Sequence, residues 1–168
     1  MGDTPLAWAA KNGHEAVIEI LLGREDIDTD KPTVDGETPL LLAARNGHEG
    51  VVRMLLGRDD VNPDKPDEVG RTPLWWAARM GREEVVKILL GRDDVNPDKP
   101  DERGQTPLWW AAYSGYEGIV EMLLGQDDVH FDTLDKGGRT PLCYAAMNGH
   151  HRVVKMLLAR ESANHDIL

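Results

Sequence analysis

The triplet Thr-Pro-Leu begins at Thr4, Thr38, Thr72, Thr106 and Thr140, always 34 residues apart. An Ala-Ala pair follows each triplet, from Ala9-Ala10 to Ala145-Ala146, and a Leu-Leu pair follows that, from Leu21-Leu22 to Leu157-Leu158. The fourteen letters LLGRDDVNPDKPDE occur at 55–68 and again at 89–102. A fixed period in this range marks a stacked array. Each unit buries its apolar face only against its neighbours. The sequence therefore predicts one repeat domain over 1–168, in units 1–32, 33–66, 67–100, 101–134 and 135–168.

Residues 67–100 show how one unit is built. Thr72 suits a helix N-cap, since its hydroxyl can accept a free backbone N–H. Pro73 suits the first helical position, where its missing N–H costs nothing. Leu74, Ala77 and Ala78 give a short helix with a small-residue face, and Gly81 ends it as a left-handed glycine does. Glu83 and Glu84 favour the positive end of a second helix. That helix continues through Val85, Val86, Ile88, Leu89 and Leu90, apolar on more than one side, and must be covered by its partner helix and by an adjacent unit. Gly91 stops it. Pro63, Pro66, Pro97 and Pro100 exclude helix and central strand from the duplicated stretch. It predicts a turn-rich finger leading to the next Thr-Pro.

The pattern Gly36, Thr38, Pro39, Leu40, Ala43, Ala44, Gly47, His48, Val51, Val52, Leu55, Leu56 resembles the ankyrin repeat, and it recurs along the whole chain. A period of 34 is also the tetratricopeptide length, but that family's Trp…Leu-Gly…Tyr signature is absent. The resemblance implies an all-α repeat solenoid of helix-turn-helix units with β-turn or hairpin fingers. It also implies a concave face of fingers and first helices that binds other proteins. Where the family usually has His after Thr-Pro-Leu, this chain has Ala7, Leu41, Trp75, Trp109 and Cys143. Ala159 stands where the other four units have glycine, so the last helix is expected to run on.

Several functions are excluded or disfavoured. The net charge is −11, and phosphate contacts need clustered Lys and Arg, so nucleic acid is not the expected partner. Residues 101–134 carry seven acids against one base, Arg103, which reads either as a solubilising surface or as one that steers a basic protein partner. No apolar run is long enough to span a membrane. A lone cysteine, Cys143, fits a reducing compartment, so an intracellular, cytoplasmic location is expected. Asp60, Asn62 and Asp64 open like a calcium loop, but Lys65 and Arg71 stand where that loop needs glycine and glutamate. No metal, cofactor or catalytic constellation is expected. His14, His48 and His150 are expected to cap or turn the chain locally.

Trp8, Trp76, Trp110 and Tyr144 share one repeat position and predict an inter-repeat ladder. Trp75 and Trp109 share another, open to either packing or groove contact. The expected partner-binding residues are Val69, Arg71, Arg103, Gln105, Lys136 and Arg139 on the fingers. To these the first helices add Trp75, Arg79, Met80, Trp109, Tyr113, Ser114 and Met147, with Tyr116 just beyond. Near-identical fingers also suit a structural spacer in a longer repeat protein, or an engineered, consensus-like scaffold. Apolar second helices at both ends suggest uncapped terminal units and possible end-to-end self-association, and residues 163–166 read as the start of a sixth finger.

Overall fold

Five Thr-Pro steps start five helix pairs. In the computed structural model of the protein, which describes residues 3–165, the hydroxyls of Thr4, Thr38, Thr72 and Thr106 each accept the amide three residues on, at 3.1–3.2 Å. Thr140 does the same at 3.4 Å. The first helices of the pairs are α1 (Pro5–Asn12), α3 (Pro39–Asn46), α5 (Pro73–Arg79), α7 (Pro107–Ser114) and α9 (Pro141–Met147). The second helices are α2 (Glu15–Leu22), α4 (Glu49–Leu56), α6 (Glu83–Leu90), α8 (Glu117–Leu124) and α10 (His151–His165). No strand occurs among the described residues.

Helices of seven or eight residues are too short to persist alone and depend on packing. Each first helix packs on the next first helix, and each second helix on the next second helix, giving two parallel rows. Ala43, Ala44, Ala77, Ala78, Ala111 and Ala112 are wholly buried, which lets the rows approach closely. Leu40, Leu74 and Leu108 join them with Val51, Val52, Val85, Val86, Ile119 and Val120 in one continuous core. The turn inside a pair needs a left-handed residue, supplied for instance by Gly81 at φ 68°.

The histidines after these glycines do not cap their helices: no side-chain cap bond forms at His14 or His48. Instead, Nε2 of His48 meets the carbonyl of Lys11 and Nε2 of His150 meets that of Tyr113, each at 3.0 Å, so they brace one unit against the one before.

The duplicated stretch is also an inter-unit device. Arg58 grips Asp60 through two N–H groups and gives a third to the Leu22 carbonyl of the preceding unit, at 3.0 Å. Arg92 repeats this with Asp94 and Leu56. One oxygen of Asp30 accepts the amide of Asn62, Asp64 that of Asn96, and Asp98 that of His130. Lys65 and Lys99 donate to the carbonyls of Asp30 and Asp64. Identical letters thus serve identical joints. At the next joint Gln126 replaces the arginine and bonds within its own unit, to Met122.

The fingers are tight turns, closed by amide-to-carbonyl bonds such as Asp67 to Arg71 and Gly70 to Asp67. Two neighbouring pairs are laced by main chain: Glu102 N–H to the Val69 carbonyl, and Lys136 N–H to the Arg103 carbonyl. The sequence expectation of a sixth finger fails, because α10 continues to His165; Asp166 lies outside the described residues. Alanine at 159 is the physical reason, since it favours helix where glycine would end it.

Candidate functional site

The first helices and fingers carry a chain of aromatic rings. Trp76 meets Trp75 edge-on at 5.1 Å, Trp75 meets Trp110 at 5.4 Å, Trp110 meets Trp109 at 4.8 Å, and Trp109 meets Tyr144 at 4.4 Å. The expected single-position ladder is therefore a zigzag through both tryptophan positions. Trp8 stands outside it, 52% exposed under Lys11. Helix geometry explains the zigzag: adjacent residues at a helix start splay to two sides, and the neighbouring unit's pair fills the gap.

Of the expected partner-binding residues, Trp75 and Trp109 are 1% and 3% exposed. They are packing residues, and the indole N–H of Trp75 is used on the Gln105 carbonyl at 2.9 Å. Val69, Met80, Tyr113 and Met147 are exposed, as are Arg103, Lys136 and Arg139. Arg71, Arg79, Gln105, Ser114 and Tyr116 are half-buried. Tyr116 lies against Gly81 of the preceding unit, so it belongs to a joint.

Charge is organised around these rings. Arg71 donates to Asp67 at 2.7 Å and lies 4.4 Å from the Trp76 ring centre. The buried Asp67 also takes the Trp76 indole N–H and the amides of Val69 and Arg71. Arg45 pairs with Glu37 and covers the Trp76 ring as well. The Arg79 guanidinium lies 4.4 Å from the Trp110 ring centre and 5.2–5.3 Å from Trp76 and Trp75. Burial, and then Arg71 beside it, push its pKa down. Among the described residues it has neither ion pair nor hydrogen bond. Arg71, Arg79, Trp75 and Trp110 line an open pocket of about 450 Å³ between the third and fourth fingers, with Asp101, Glu102 and Arg103 also in its lining. In the sequence Arg79 falls among the expected partner-binding residues and Trp110 in the inter-repeat ladder. They lie in different units, and only the stacking brings them together.

A second depression, of about 510 Å³, is lined by Asp64, Asp94, Asp98, Asp128 and His130. Three of its acids are engaged: Asp94 is held by Arg92, Asp64 by the Asn96 amide, and Asp98 by the amide and ring of His130, while a second oxygen of Asp64 and of Asp98 is buried with no partner among the described residues. Among the described residues no group of three or more His, Cys, Asp or Glu is arranged to hold a metal ion. No described helix is long and apolar enough to cross a membrane.

A family model described as ankyrin repeats matches three times, over residues 1–67, 60–134 and 93–167. No curated protein matches the chain.

Proposed function

This chain belongs to the ankyrin-repeat family, whose members are generally protein–protein interaction modules, and from that premise we propose that it is a non-enzymatic module that binds a partner protein on the face formed by its fingers and first helices. One observation carries the reading. Among the described residues, the exposed large apolar side chains Val34, Val69 and Leu134 lie on or beside fingers, and Trp8, Met80, Tyr113 and Met147 lie on or at the ends of first helices. The remaining three, Val17, Ile20 and Leu158, lie on α2 and α10 and are where end-to-end self-association would act. Exposed aromatic and methionine side chains bordered by arginine make an interface anchor. The net charge of −11 suits a partner that is basic overall, whose association slows as salt rises.

The test uses a partner captured by pull-down and then purified. Tyr113→Ala and Met147→Ala together are expected to weaken binding by about 2 kcal/mol or more, the hot-spot scale. Glu121→Ala, an exposed change on α8, is the control. Unchanged affinity in the folded double variant would move the interface off this face.

A further inference from the structure

The pocket between the third and fourth fingers has more donors than acceptors. Arg71 is paired with Asp67, but Arg79 beside it makes no ion pair among the described residues and feels the Asp101 charge only at a distance. The two guanidiniums lie over the same two indoles, Trp75 and Trp76. Two like charges held together over low-polarity rings repel unless an anion joins them. In the fourth unit Gln105 takes the place of Arg71, and Asp101 spends one oxygen on the amides of Arg103 and Gln105. The Trp110 indole N–H, in the place where Trp76 reaches Asp67, is buried without a partner among the described residues. The Arg79 guanidinium lies 4.4–5.3 Å from three indole ring centres, and among the described residues none of its N–H groups is hydrogen-bonded. A planar fork with free N–H groups matches a carboxylate, which can accept two parallel bonds.

We propose that Arg79, held against Trp110, Trp75 and Trp76, is the anchor for a single carboxylate side chain of the partner, carried next to a basic residue that meets Asp101 and Glu102 in the same lining. This rests on the interaction-module reading and names the chemistry that the face selects. The pocket volume suits one or two side chains rather than a folded surface. The protein's strongly acidic charge opposes a broadly acidic segment at long range. That is why the occupant is one acid in a basic setting: the field steers the segment in, and the half-buried Arg79 reads the acid.

Display of random linear peptides against the folded chain tests the proposal. Enriched peptides should share an Asp or Glu beside a Lys or Arg. In a titration read by tryptophan fluorescence, replacing that acid by its amide should weaken binding about tenfold or more. Arg79→Gln should cost the same factor and abolish the acid-to-amide difference, and Arg79→Lys, which keeps the charge but not the fork, should restore only part. Far-UV circular dichroism checks that both variants fold. The proposal is overturned if the acid-to-amide difference survives Arg79→Gln, or if enriched peptides lack an acid while still losing affinity on Tyr113→Arg. In the second case the interaction face itself stands. If nothing is enriched, or if the peptides ignore Tyr113→Arg, Met147→Arg and Arg79→Gln alike, the interaction-module reading falls and the anchor with it.

Discussion

Trp75→Ala compared with Trp8→Ala separates packing from surface at residues of one type. Trp75 is 1% exposed and Trp8 52%. A buried tryptophan removes about 200 Å² from water, and at about 25 cal/mol per Å² that is about 5 kcal/mol. A compact unfolded state reduces it by roughly 10–40%, to about 3–4.5 kcal/mol. Losing the indole N–H bond to the Gln105 carbonyl adds about 1 kcal/mol. The expected cost is therefore about 4–5.5 kcal/mol, a large part of the roughly 5–15 kcal/mol of a typical domain. Trp8 has only half its surface to lose and no cavity to leave, which gives about 1–2 kcal/mol. Urea unfolding followed by far-UV circular dichroism is the suitable assay, because each variant loses a fluorophore. A reduced m-value in Trp75→Ala would mean that the array had split at its third unit. If Trp75→Ala costs no more than Trp8→Ala, the indole at 75 is not holding units three and four together and its burial argument fails.

Two further outcomes follow from backbone and charge. Gly149→Ala places a Cβ in open space at φ 74° and should cost about 1–2 kcal/mol from backbone strain alone; Gly81→Ala, at φ 68°, puts one 2.8 Å from the Tyr116 ring and should cost about 2–4 kcal/mol, both read by chemical denaturation. Hydrogen bonding to Asp98, and then the charges of Asp98, Asp132 and Asp128, raise the His130 pKa above 6.5. A raised histidine stabilises the fold fully below its unfolded value and loses that contribution as pH rises through the folded one. Melting temperature should therefore fall between pH 6 and pH 8, and His130→Asn, matching Asn62 and Asn96, should flatten that slope; an unchanged slope would reject the pair. Burial raises Asp30, Asp64 and Asp98, and those groups favour the fold further only as pH drops into the carboxylate range.

The array was legible because its signals are local and repeated. A threonine cap, a proline at the first helical position and a glycine at the turn each act within a few residues, and five registered copies make the pattern unmistakable. What crosses between units was not legible. His48 read as a local turn residue because nothing in its own unit points to the Lys11 carbonyl. Trp76 reads as part of a core ladder and Trp75 as either packing or groove contact, yet the neighbouring unit's tryptophans decide both fates. Cys143, at the same position as the buried Trp75 and Leu41, is exposed, so position in the repeat does not fix burial. The compensation of Arg71 and the isolation of Arg79 depend on Asp67 being buried and on Gln105 replacing an arginine one unit on.

The joints of this array are tied at different places. Arginine struts at the loops leaving the second helices fasten units one to two and two to three, through Arg58 and Arg92. Main-chain lacing between fingers fastens units three to four and four to five. A rod tied along one edge for half its length and along another edge for the rest does not bend uniformly. The early fingers can spread while their helix exits stay clamped. The later fingers stay clamped, and at the exit between units three and four, where Gln126 replaces a strut, the tie passes to the weaker Asp98–His130 pair. The third unit is where the stiffness changes edge. The Arg79 pocket lies there, so its width varies least with flexing of the early fingers, and a segment seated in it is gripped at the stiff end of a compliant groove.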